Sequence, residues 1–213
     1  MSVKLNAWQS FKDEFKLNEK ELDLFKIYLD YLIEENKKTN LTGLESIEEM
    51  IDYHLKDSLA LLKFINLENK NIVDVGSGAG FPGVPLFIVS GCKMRLLEIR
   101  VKRLDFLKAI QEKLDLTKLL IDNRDWLTFI RAKKDPVDYY IARASLQPEE
   151  LVKVLNVEPK ATVIYWACES WQPTLKLKDL IIKDESYEVG DKKRRLIFFS
   201  KIKKAIGNYD SKN

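Results

Sequence analysis

Asn71-Ile-Val-Asp-Val-Gly-Ser-Gly-Ala-Gly-Phe-Pro-Gly83 is a short apolar run that ends in three closely spaced glycines. The run Asn71–Val75 reads as a strand buried on both faces. Gly76, Gly78 and Gly80 let the backbone turn sharply and approach a ligand without the obstruction of a Cβ. A helix is predicted over Val84 to Ser90, closed by Gly91 at its C-cap. Strand, glycine loop and helix together form the first half of a βαβ unit, whose loop lies at the carboxyl edge of a sheet where ligands bind. A dinucleotide fingerprint would space its glycines G-x-G-x-x-G. Here the third glycine comes one residue early, and Pro82 and Pro85 delay and shorten the helix, which is poor support for a pyrophosphate.

Downstream the same grammar repeats. Strands are predicted at Met94 to Glu98, 119–121, 137–142 and 161–167, and helices at 102–114, near 125–132 and near 148–156. Strands that alternate with helices imply an α/β fold with a mostly parallel, doubly wound sheet. Ser186-Tyr-Glu-Val189, Gly190-Asp191 and Leu196-Ile-Phe-Phe199 read as a hairpin that adds a terminal antiparallel strand. Upstream the pattern is helical. Asn18 with Glu21 and Ser46 with Glu49 have the spacing of capping boxes, each followed by apolar residues at helical intervals. The expected organisation is a single domain over 1–213, with a helical cap at 1–67, an α/β core at 68–204 and a tail at 205–213.

Composition narrows the classes. The chain has 213 residues, is 46% hydrophobic and carries a net charge of +3, which excludes a disordered polyelectrolyte and a histone-like binder. The balance is uneven: residues 1–50 hold 7 basic against 11 acidic residues, 93–134 hold 12 against 6, and 176–204 hold 10 against 5. Two basic blocks suit a face that meets phosphates, though charge alone favours ordinary solvated helix faces. Cys92 and Cys168 form no C-x-x-C pair, so neither a disulfide scaffold nor a metal site is expected. The first residues lack the apolar core of a signal peptide, and no stretch approaches the roughly 20 apolar residues of a membrane span. A cytoplasmic protein is expected.

Two acids stand near the loop. Glu98, at the tip of the second strand, is placed to accept both hydroxyls of a ribose. Asp74 either meets an amino group or sulfonium charge or caps the loop amides. Loop, ribose acid and βαβ unit favour an adenosine-containing ligand. His54 is the one histidine, and its expected role is to position Asn40-Leu-Thr42 instead of acting as a base.

Asp74-Val-Gly-Ser-Gly-Ala-Gly-Phe-Pro-Gly83 resembles the cofactor loop of the ribosomal small-subunit methyltransferase G family, also called glucose-inhibited division protein B. Asn40-Leu-Thr42 with His54 and Asp57-Ser58-Leu59, Lys102-Arg103 with Phe106-Leu107, and Ala142-Arg143-Ala144 resemble the same family in order and spacing. The resemblance implies a Rossmann-like class I methyltransferase that uses S-adenosyl-L-methionine, without metal, to make 7-methylguanosine in 16S rRNA of the small ribosomal subunit. It implies a cofactor site at Asp74, Gly76, Gly78, Gly80, Phe81, Glu98 and Arg143, with Arg143 also catalytic; Asp125 and Trp126 follow strand three, where this fold binds adenine, and are expected to accept and stack there in place of the small or apolar residue followed by Glu that the family more often has. It places RNA contacts at Lys102, Arg103, Arg124 and Arg194, supported by the run Lys192-Lys-Arg-Arg195, and a monomer is expected. The sequence departs from the family at Tyr165-Trp-Ala-Cys-Glu169, where Lys-Gly is usual. A same-fold enzyme with another substrate and a non-catalytic RNA-binding homologue remain open at this level.

Overall fold

The helical region begins one element earlier than the capping pattern predicts. In the computed structural model the described residues are 2–132 and 135–202. The expected tail at 205–213, and Lys203 and Lys204, lie outside them. Helix α1 (Ser2–Phe15) carries Phe11, fully buried and edge-on to Phe25 with ring centroids 5.3 Å apart. Helix α2 (Glu19–Thr39) opens on the predicted capping box: Asn18 Oδ1 accepts from the Glu21 amide and Glu21 Oε2 from the Asn18 amide, both at 2.9 Å. It ends at Asn40 in the left-handed region, φ 50°.

Ser46 caps α3 (Ile47–Met50), but only half of its capping box forms. Its hydroxyl accepts from the Glu49 amide at 3.2 Å, while the Glu49 carboxylate takes the Ser46 hydroxyl in place of the backbone. The helix then widens into a π turn over Ile51–Lys56 before α4 (Asp57–Leu59) and a 3-10 turn at Ala60–Lys63. Such π turns often mark functional sites, and this one holds Tyr53 and His54.

The sheet has seven strands: β1 (Asn71–Val75), β2 (Lys93–Leu97), β3 (Leu120–Asp122), β4 (Tyr139–Arg143), β5 (Thr162–Cys168), β6 (Ile181–Val189) and β7 (Lys192–Phe199). Their order is β3-β2-β1-β4-β5-β7-β6. The first five are parallel, and β7 pairs antiparallel with both β5 and β6. The predicted antiparallel strand is therefore last in the chain but lies inside the sheet, with β6 at the edge. The connecting helices are α5 (Gly83–Ser90), α6 (Val101–Lys113), α7 (Trp126–Ala132), α8 (Pro148–Leu151) and α9 (Leu175–Lys178). The helix predicted near 148–156 is α-helical for four residues and continues as a 3-10 turn over Val152–Asn156.

Side chains alternate across the sheet. Ile72, Ile141 and Ile164 join a core shared with α1, α2, α5 and α6, while Val73, Tyr140 and Val163 join a second core with Phe129, Leu151 and Val154. The helical cap thus packs on one face only, which leaves the carboxyl ends of β1 and β4 open between the cap and the β6–β7 hairpin.

Candidate active site

A cleft of about 480 Å3 lies over the glycine loop, at the point where strand order runs one way from β1 to β2 and the other way from β1 to β4. Doubly wound sheets bind ligands at this switch point. Gly76 has φ +71°, and a Cβ on it would come within 2.5 Å of the Ser145 Cβ, so the loops after β1 and β4 close on each other only around a glycine. Gly78, φ +61°, would aim its Cβ at the Arg103 guanidinium 3.6 Å away, so a larger side chain there would grow into the cleft. The loop is held from beneath. The amides of Gly76 and Ser77 donate to the Leu97 carbonyl at 2.9 and 3.0 Å, and the buried Tyr28 hydroxyl donates to the Ala79 carbonyl.

The two acids take other positions than a ligand role alone predicts. Asp74 has no exposed surface, and its Oδ2 accepts from the Gly83 amide at 3.0 Å. Burial pushes its carboxyl up to about 7. It caps the loop from inside, one of the two roles expected of it, and does not line the cleft. Gly80 likewise turns away from the cleft, toward Tyr28 and Val84. Glu98 is only 4% exposed. Its Oε2 accepts from the Gly78 amide at 3.0 Å and lies 3.6 Å from Nη1 of Arg103, and its Oε1 accepts from the Ile99 and Arg100 amides. Glu98 therefore braces the glycine loop from the tip of the second strand, where a ribose acid is expected, and does not itself line the cleft. Arg103, expected on RNA phosphate, is turned toward the glycine loop and lines the cleft.

Arg143 ends β4 and is fixed from several directions. Its Nη1 donates to the Tyr53 carbonyl at 3.1 Å and to Asp57 Oδ2 at 2.9 Å, and its Nη2 donates to His54 Nδ1 at 3.1 Å. Its guanidinium lies 5.3 Å from the centre of the Phe81 ring, on which His54 also stacks at 4.4 Å. The Arg143 guanidinium only donates, so we assign His54 Nδ1, which also lies 3.2 Å from the Tyr53 carbonyl, as its acceptor, and Nε2 then carries the proton toward Thr42 Oγ1 at 2.7 Å. Burial, with Arg143 beside it, lowers the imidazole to about 3, so the ring is neutral. Both ring nitrogens are committed, and His54 ties Thr42 to the floor of the cleft as expected. Among the described residues three of the five Arg143 N–H donors are used, and the Nε–H and the second Nη2 proton, on one edge, are left for a ligand. Arg194 also lines the cleft, its Nε 3.7 Å from Asp57 Oδ1.

Four expected site residues lie elsewhere. Asp125 Oδ1 accepts from the Thr128 amide at 3.0 Å at the start of α7, and the Trp126 ring stands edge-on to Tyr140 at 5.3 Å within the second core. Neither side chain lines the cleft. Arg124 closes a fork onto Asp122, which Arg95 also meets, and it lines a separate cavity with Ile72, Met94 and Phe129. Lys102 is exposed on the first turn of α6. Conversely, the cleft gains Tyr53, Ser145 and Lys192, which sequence reasoning did not assign. Their roles come from long-range packing of the cap and hairpin; only the basic run around Lys192 signalled one of them. Among the described residues no cluster of three or more His, Cys, Asp or Glu side chains is placed to hold a metal ion, and no helix is long and apolar enough to cross a membrane.

Sheet order, glycine loop and switch-point cleft define a Rossmann-like, S-adenosylmethionine-dependent methyltransferase fold. The fold is shared with M. capricolum TrmK solved with S-adenosyl-homocysteine, at a TM-score of 0.54 and 20% identity over 68% of each chain. It is also shared with an Aquifex aeolicus SAM-dependent methyltransferase, at 0.53 and 16% identity over 76% of this chain and 97% of the other. The model of the family described as rRNA small subunit methyltransferase G (GidB) matches residues 21–170, and the chain belongs to that family. A ribosomal RNA small subunit methyltransferase G of Aster yellows witches'-broom phytoplasma is 35% identical over 180 residues, 83% of this chain and 85% of the relative. The protein of the same name from Aquifex aeolicus is 35% identical over 151 residues, 68% of this chain and 74% of the relative.

Proposed function

We propose that the protein transfers a methyl group from S-adenosylmethionine to N7 of a guanine in 16S rRNA of the small ribosomal subunit. The observation that carries this reading is the switch-point cleft, floored by the glycine loop and walled by a fixed Arg143, in a chain of this family. We take the working unit to be a cytoplasmic monomer, with the described residues as one folded body whose main core runs from Phe11 to Phe198.

The residues present fit the cofactor. The glycine positions keep the floor free of side chains, and Glu98 Oε2 has acceptor capacity left for a ribose hydroxyl. Gly76, Ser77, Gly78, Ala79 and Phe81 would hold it, with Glu98 and Arg103 at the ribose side. When bound, S-adenosylmethionine supplies an electrophilic methyl on a sulfonium. Guanine N7 carries an in-plane lone pair and no proton, so no base is needed, in keeping with a His54 whose nitrogens are both engaged. The barrier falls chiefly through proximity and alignment. Arg143 orients: its free edge can donate to the guanine O6, leaving the N7 lone pair clear. Lys102 and Arg194 contribute to holding the RNA.

The test is transfer of labelled methyl to 30S particles from a strain lacking the modification, with free 16S RNA and tRNA alongside. Label in 7-methylguanosine of the small-subunit RNA is expected. Label only in another nucleoside or another RNA overturns the proposed substrate. In the same assay Arg143→Ala is expected to abolish transfer while cofactor binding by calorimetry persists; full activity would show that Arg143 does not orient the guanine.

A further inference from the structure

Asp57 is fully buried at the start of α4, where the cap, the sheet and the hairpin meet. Its Oδ2 accepts from Arg143 on β4 at 2.9 Å. Its Oδ1 accepts from the Tyr187 hydroxyl on β6 at 2.6 Å and lies 3.7 Å from Nε of Arg194 on β7. Its backbone carbonyl accepts from the Trp166 indole on β5 at 2.9 Å. The carboxylate is thus held at both oxygens and through its main chain, and it in turn holds the arginine that walls the cleft. Tyr187 is itself buried and belongs to none of the segments that carry the family resemblance.

The charge arrangement has a chemical consequence. As the N7–carbon bond forms, the sulfur–carbon bond breaks and its electron pair stays on sulfur, so the positive charge of the sulfonium passes to the guanine ring. Two guanidiniums beside that ring would oppose the transfer; one carboxylate between them cancels one of the two charges, and does so in a buried setting where charges are poorly screened. We propose that Asp57 and Tyr187 are positioning residues for methyl transfer: Tyr187 fixes the Asp57 carboxylate, which fixes the Arg143 guanidinium and offsets its charge where the substrate cation forms. This rests on the reading of the cleft as the methyl-transfer site.

Kinetics of Tyr187→Phe, Asp57→Asn, Arg143→Lys and the double variants test it, with cofactor affinity by calorimetry and thermal melting measured on each. Tyr187→Phe removes one hydroxyl and keeps the ring, so it tests the proposal even if Asp57→Asn does not fold. Loss of a hydrogen bond to a charged group is expected to lower its kcat about 10-fold, with KM and cofactor affinity unchanged. In the Arg143→Lys background, Tyr187→Phe and Asp57→Asn should add little further loss, because they act through Arg143; a merely structural role would give additive losses. A folded Tyr187→Phe with full kcat, or additive losses in the double variants, overturns the proposal while the methyltransferase reading stands. A wild-type chain that methylates no small-subunit RNA overturns both.

Discussion

Asp74 carries a pH dependence that can be isolated. Its carboxyl sits at about 7 in the folded protein against 3.8 ordinarily, because burial penalises the charged form. A folded-state value above the unfolded one means that this residue favours folding at low pH. The contribution fades as pH rises from about 4 and is gone above about 7. Asp74→Asn keeps an oxygen for the Gly83 amide and does not titrate. Its melting temperature minus that of the wild type should therefore climb between pH about 4 and about 7 and level off above; a difference flat with pH would contradict the assignment. A second test lies at Gly78, where valine would put branched carbons into the cleft and force an unfavourable positive φ. Calorimetry should show cofactor binding abolished in Gly78→Val. At this scale the sequence indicated the residue types but not the direction in which they point. The spacing of Gly76 and Gly78 showed where backbone must stay bare, and Arg143 at the end of its strand lay at the right edge. Asp74 could not be recognised as buried beneath the loop, because β1 is buried on both faces and its alternation carries no outward side.

Elements hold the loop as much as residues do. Tyr28 of α2 is fully buried, packs on Phe81 at 5.2 Å and donates its hydroxyl to the Ala79 carbonyl, so the cap clamps the glycine loop from the side opposite the cleft. Tyr28→Phe would leave that carbonyl without its donor. Chemical denaturation should show a loss of about 1–3 kcal/mol, the cost of an unmet buried hydrogen-bonding group, and calorimetry should show weaker cofactor binding as the loop loosens. Unchanged affinity in the destabilised variant would mean that the clamp serves the fold alone. The clamp was not legible, because nothing in the apolar spacing of α2 marks Tyr28 as the residue facing the loop. The π turn at Ile51–Lys56 was equally hidden: the run from Ile47 to Leu62 reads as one regular helix, and the extra residue per turn comes from tertiary contacts of Tyr53 and Asp57. Alternation of strands and helices, by contrast, was readable throughout, since each strand is a short apolar run bounded by turn residues. Trp8, Phe11 and Phe15 stand at helical spacing and would have announced α1.

Across the whole molecule, charge is what remains to be divided. The basic run at 192–195 reads in the sequence as one RNA-facing block, yet the structure partitions it. Lys193 lies 3.9 Å from Glu169, Arg194 leans on Asp57, and Arg195 donates to Asp184 at 3.0 Å and to the Trp171 carbonyl at 2.7 Å. Lys192 instead stands 4.1 Å above the Tyr53 ring at the mouth of the cleft, on a hairpin tip anchored by the Tyr53 hydroxyl to Asp191. A cation placed over an aromatic face at a substrate entrance is preorganised for phosphate. Counterion release then gives a measurable signature. Each phosphate contact contributes about 0.7 to 0.9 to the slope of log affinity against log salt. Lys192→Ala should reduce that slope for RNA, followed through KM between about 50 and 200 mM salt, by about one such contact. Arg195→Ala, which breaks an internal pair, should leave the slope as it is. A slope unchanged in Lys192→Ala but reduced in Arg195→Ala would place the RNA on the outer face of the hairpin instead of over the cleft, and the path of the substrate into the site would have to be redrawn from that face.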